Sequence, residues 1–108
     1  MGHMLYGSTP TAIELDDRTL AHVELVTLAK LRRNESFALT LDAADGSRST
    51  YWLNANSPLE FHFTVGRQEI NREWLDIIID TANSTGGMRV VPEPKSSAAD
   101  TTKGDSPK

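Results

Sequence analysis

Apolar and polar positions change period several times along the chain, and each change marks an element. Residues 37–41, 51–53 and 59–65 alternate with period two, the pattern of strands that lay one face on a core. Phe37, Leu39 and Leu41 share one face of the first segment, Tyr51 and Leu53 oppose Trp52 in the second, and Leu59, Phe61, Phe63 and Val65 oppose Glu60, His62 and Thr64 in the third. Asp45-Gly46 supplies a hairpin turn and NANSP breaks the chain again, so the spacing predicts an antiparallel meander over 36–42, 49–54 and 59–65. Nearer the start, Met4–Tyr6 and Ala12–Leu15 flank the turn-forming GSTPT and read as a hairpin.

Between these β-type stretches the period lengthens. Leu20, Val23, Leu28 and Leu31, with Val26 or Thr27 between, recur at helical spacing, and Asp16 or Asp17 can cap a helix that runs from 18 to 33. His22 and Glu24 fall away from that stripe. A second helix is expected over 72–84, started by Asn71 with Ile70 and Leu75 placed for a hydrophobic staple. Trp74, Leu75, Ile78 and Ala82 form its apolar face, Ile77 and Ile79 widen it, and Gly86-Gly87 supplies a left-handed stop. Val90 and Val91 belong to a last strand ended by Pro92 and Pro94. The fold class is α+β: a mostly antiparallel sheet of five to six strands with two helices packed on one face, its strand order left open.

Length adds that 108 residues suffice for one domain with one core. That domain is assigned to 1–94, because residues 95–108 contain no large apolar side chain whose burial would offset ordering, and they read as a disordered tail. A net charge of −4 argues against a protein that coats nucleic acid, and the absence of cysteine removes disulfides and thiolate chemistry. No stretch has signal-peptide form or approaches the ~18 apolar residues of a membrane span, so the expectation is a soluble cytoplasmic protein with no membrane partner.

Few residues carry chemistry. Lys30, Arg32 and Arg33 fall in the last turn of the first helix, where cations meet the negative end of the helix dipole, a gain of roughly 0.3 to 1 kcal/mol per charge. That placement favours a helix end, with Glu35 close enough to pair with an arginine; a phosphate site would depend on the arginine forks alone. His62 has no His or Cys at ligand spacing, with His3 and His22 in other elements, so it reads as a sheet-face histidine and not as a metal ligand or catalytic base. Trp52 shares its nominal face with Thr40, Thr50, His62 and Thr64. That face is either a polar platform with one aromatic for stacking or packing, or a surface covered by the N-terminal hairpin or the tail. Asp76 and Asp80, with Glu73 nearby, read as a solvated acidic face, and TGG at 85–87 follows a helix and so is no phosphate loop. No cofactor is expected.

LYGS, DDRTLAHV, KLRRNESF, INREWL and ANSTGG together resemble a family of short uncharacterised bacterial proteins often labelled ATP-dependent DNA ligase. The resemblance spans nearly the whole ordered region and implies no established catalytic residues. Such ligases adenylate a lysine within K-x-D-G. Here Lys30 precedes Leu31-Arg32-Arg33, Lys95 precedes two serines, and Lys103 in KGDS has Ser106 in place of the glycine. The functional expectation is therefore a small non-enzymatic interaction module for a macromolecule, protein or nucleic acid, acting through the Trp52 face or the basic helix end. The alternative is a weak nucleic-acid or nucleotide binder through Lys30, Arg32 and Arg33, accessory to DNA processing.

Overall fold

A computed structural model describes residues 1–9, 11–43 and 45–94; the expected tail lies outside them. In chain order the elements are β1 (Gly2–Tyr6), β2 (Thr11–Leu15), α1 (Asp17–Arg32), β3 (Phe37–Asp42), β4 (Arg48–Leu53), β5 (Leu59–His62), α2 (Arg72–Ala82) and β6 (Met88–Arg89). The class is α+β, but the strands do not form the single sheet expected. They make two three-stranded sheets, ordered β2-β1-β5 and β4-β3-β6. The N-terminal sheet is antiparallel throughout, whereas β6 runs parallel to β3.

The meander is half right. β3 and β4 pair from Phe37↔Leu53 to Asp42↔Arg48, but β5 leaves them and pairs with β1. Alternation specifies which side chains face inward and says nothing about which edge the strand joins. On β1 the inward residues Met4 and Tyr6 stand opposite Phe61 and Leu59, giving that strand apolar neighbours on both sides. β5 is also shorter than its alternation predicts. The Asp17 carboxylate accepts the backbone N–H groups of Thr64 (3.2 Å) and Val65 (2.8 Å), turning the chain away after Phe63, and Val65 is exposed at 58%. The Val65 amide is the main reason the Asp17 carboxyl lies below its ordinary value.

α1 packs on β1, α2 packs on β3 and β6, and the helices pack on each other. Of the two candidate caps, Asp16 is the one used: its side chain accepts from the Thr19 N–H. The buried stripe of α1 is Leu20, Val23, Val26 and Thr27, extended by Ala21 and His22, while Leu28 is 43% exposed. A helix enclosed by a sheet beneath and a second helix beside it buries a wider arc than one stripe, and the arc is displaced toward that neighbour. This explains both departures from the sequence reading.

α2 begins as expected, with the Asn71 side chain accepting from the Trp74 N–H. It ends at Ala82, ahead of the glycines, with Asn83 as its cap. Gly87 serves a different purpose: at φ 84°, a Cβ there would lie 2.7 Å from the Ala38 carbonyl oxygen, so only glycine lets the chain enter beside β3. The strand so begun is two residues long, and Val90 and Val91 lie beyond it. The shared core contains Met4, Leu20, Leu39, Leu53, Ile78 and Met88, all with no exposed surface. Each such side chain contributes roughly 1.5 to 3 kcal/mol by burial.

Candidate partner interface

The helices run side by side in the same direction, since His22 meets Asn71 and Trp74 while Lys30 meets Asn83. At their N-terminal ends the contact is sealed. The Asn71 backbone N–H donates to His22 Nε2 (2.9 Å), so Nδ1 carries the proton and donates to the Arg18 carbonyl (2.7 Å). The imidazole tilts over Trp74 at 4.4 Å between centroids, and the indole N–H donates to the Val91 carbonyl (2.8 Å). Arg18 forks onto both Glu93 oxygens (2.8 and 2.7 Å), and the Asn71 side-chain amide donates to the same carboxylate (2.8 Å). The Arg18 guanidinium, aided by Asn71, holds the Glu93 carboxyl down at about 2, against the burial that would raise it.

At the C-terminal ends the same pair opens. A groove of about 420 Å³ lies between the helices, with Leu25, Val26, Ala29, Leu75, Ile79 and Ala82 along it and Lys30, Arg33 and Asn83 at its end. Leu25 and Leu28 are each 43% exposed and Ile79 is 37% exposed, so the solvent side of α1 and its junction with α2 are apolar.

The basic cluster is a helix end. Asn34 adopts a left-handed φ of 60°, its N–H donating to the Leu31 carbonyl (2.9 Å), and the Glu35 N–H donates to the Lys30 carbonyl (3.1 Å). Asparagine at the stop position was the available sequence signal. Glu35 then turns back between the cations, 3.3 Å from Lys30 Nζ and 3.6 Å from Arg33 Nε. The Lys30 side chain is only 11% exposed and also donates to Asn83 Oδ1 (3.2 Å). Arg32 and Arg33 stand in solvent.

Trp52 is 61% exposed, and no described segment covers it. Its carbonyl accepts from the Tyr6 hydroxyl, which ties β4 to the N-terminal sheet. A second cleft of about 270 Å³ joins Trp52 to Lys30, Asn83 and Gly87. Lys30 therefore lines both clefts, and the two surfaces that sequence spacing left as alternatives, the aromatic face and the basic helix end, are contiguous.

His62 does not belong with them. It lies on the outer face of the other sheet, with its ring stacked on His3; Thr40 and Thr50, whose hydroxyls lie 3.1 Å apart, stay with Trp52 on the β3–β4 pair. The platform drawn from alternation alone is thus two separate patches. Asp76 and Asp80 are solvated, and among the described residues no group of three or more His, Cys, Asp or Glu is arranged to hold a metal ion.

A wider cleft, about 740 Å³, runs over Leu15, Leu41, Trp74 and Val91 with Asp16, Asp42, Glu93 and Arg89 at its rim. Its charges are already engaged. Asp16 caps α1, Glu93 holds Arg18, and Asp42 pairs with Arg48 (3.1 Å) and Arg89 (3.2 Å), which keep its carboxyl below the ordinary value. These are contacts that close the fold.

No described helix is long and apolar enough to cross a membrane. No curated protein and no solved structure matches the chain. One family model does, over residues 1–93, and the chain belongs to that family: DUF7882, a domain of unknown function.

Proposed function

We propose that the protein is a small non-enzymatic interaction module that binds an acidic, amphipathic segment of a protein partner along the surface running from the inter-helix groove past Lys30 to Trp52. The observation that carries this reading is the position of Lys30, which lines both clefts and so joins an apolar groove, a basic end and an exposed indole into one strip. An amphipathic helix laid in such a groove buries its apolar side against Leu25, Leu75 and Ile79. Acidic residues at its end would meet Arg32 and Arg33, whose charges outnumber the nearby Glu35. Ligation plays no part in this reading, since no lysine stands in K-x-D-G.

The test is selection from a displayed library of helical peptides. Enrichment of apolar residues at helical spacing with Asp or Glu toward one end is expected, with binding lost in Ile79→Ser and weakened by Arg33→Glu. Selected peptides that bind these variants as well as the wild type overturn the reading.

A weak nucleic-acid or nucleotide binder through Lys30, Arg32 and Arg33 is the second reading, favoured by the exposed Trp52 beside Lys30, on which a base can stack. Its affinity is limited, because Lys30 is committed to Glu35 and Asn83. Oligonucleotide titrations at several salt concentrations test it. With at most three phosphate contacts, the log–log slope should not exceed about 3 in magnitude.

A further inference from the structure

The sheet face opposite the helices carries a pair of groups that the proposed interface does not use. β1 lies between β2 and β5, with His3 directly opposite His62 on one side and Glu14 on the other. Gly2 and Met4 point into the core and are buried, so His3 points outward, as do His62, Glu14 and Glu60 by the same alternation. The two imidazole rings stack at 5.1 Å between centroids with 27° between their planes. Both nitrogens of His22 are engaged in the fold, whereas the rings of His3 and His62 make no hydrogen bond among the described residues.

We propose that His3 and His62 form a two-imidazole site for a divalent transition-metal ion, with copper(II) held most tightly and nickel(II) and zinc(II) more weakly. Metal–nitrogen bonds of about 2.0 to 2.1 Å place two ligating nitrogens no more than about 4 Å apart. Centroids 5.1 Å apart put the two side chains close to that separation, and side-chain rotation that turns the stacked rings edge to edge is needed to aim both nitrogens at one ion. Neutral imidazole suits these metals and the order follows their general affinity for nitrogen ligands. Glu14 and Glu60 add negative charge on the same face. With no third side chain in ligating position, water completes the coordination shell.

The support beneath the pair is rigid. A Cβ on Gly2 would lie 2.5 Å from the His62 carbonyl oxygen, so β1 and β5 approach here as closely as glycine allows. Asp17 holds the chain just beyond β5 through the Thr64 and Val65 amides. Both ligands thus stand on paired strands that meet only in the folded chain, and a bound ion staples β1 to β5. Such an ion binds the folded state preferentially and raises its stability by mass action.

Calorimetric titration of the full chain with copper(II) and nickel(II) in a non-chelating buffer tests the site, read together with the melting temperature. One equivalent of copper should bind and raise the melting temperature. His3→Gln and His62→Gln should each weaken binding by at least about tenfold, the minimum expected when even an outer-sphere partner of a ligand is lost. Each variant should also remove the thermal shift. His62→Gln is decisive, because a site built from His3 and neighbouring backbone alone would survive it. His62 is exposed and makes no hydrogen bond among the described residues, so that variant should keep the fold, checked by circular dichroism. Unchanged copper affinity in His62→Gln, or no stoichiometric binding to the wild type, overturns the proposal.

Discussion

The two ends of the helix pair use the same two elements in opposite ways. At the N-terminal end, His22, Trp74, Asn71, Arg18 and Glu93 form one hydrogen-bonded and packed network that reaches into the C-terminal segment through Val91 and Glu93. At the C-terminal end, Leu25, Leu28 and Ile79 remain partly in solvent and a groove lies between the helices. The polar side-chain contacts that tie the helix pair to the C-terminal segment are concentrated at the N-terminal end. At the other end the partly exposed apolar side chains have less burial to lose on substitution.

That contrast predicts a gradient of mutational effects. Trp74→Ala should cost most, about 3 to 5 kcal/mol, because it empties buried volume and strips the ring packed on His22. Urea unfolding measures this, and a loss under about 1 kcal/mol would mean that the sealed end is not the keystone of the fold.

Glu93→Gln should cost roughly 2 kcal/mol at neutral pH, once screening of a partly exposed pair is allowed for. The sign follows from the depressed carboxyl: with about 2 in the folded chain against an ordinary 4.5, the contribution is complete above the ordinary value and is lost as pH falls toward 2. Wild type and Glu93→Gln should therefore differ most above pH 5, draw together as pH falls below the ordinary value, and converge only as pH approaches 2. Parallel curves across that range would show that the ion pair contributes little.

Thr27→Val should stabilise by about 1 kcal/mol, since the Thr27 hydroxyl is buried without a hydrogen-bond partner among the described residues and valine has nearly its shape. A loss of stability would reveal a partner for that hydroxyl. Smallest of all, Leu25→Ser together with Ile79→Ser should stay within about 0.5 kcal/mol of wild type in unfolding while abolishing capture of the selected peptides. A large destabilisation would make the groove part of the core and erase the difference between the two ends.

Some features were legible in the chain because they depend on near neighbours. Asn71 three residues before Trp74 is a cap whatever lies around it, and β1 with β2 forms a hairpin because only a short turn separates them. The alternation in 37–41 and 51–53 correctly paired β3 with β4 for the same reason. The candidate interface was legible only in pieces. Lys30, Arg33 and Trp52 could each be singled out, but their junction depends on Asn83 and on how α2 lies along α1, which no local pattern specifies. His22 was misplaced because a stripe on a helical wheel assumes one buried side, and α1 has a sheet on one side and a helix on another.

What the sequence determined by itself is the set of elements, the inward faces of β3 and β4, the cap of α2 and the α+β class, because side-chain period and capping chemistry act over a few residues. Tertiary structure decided which edge β5 joined, so that the strands divided into two sheets and His3 came to stand against His62. It also decided that Gly87 is needed beside Ala38 and not as a helix stop. Such choices are settled by burial summed over the whole core, which the alternation of a few residues does not encode.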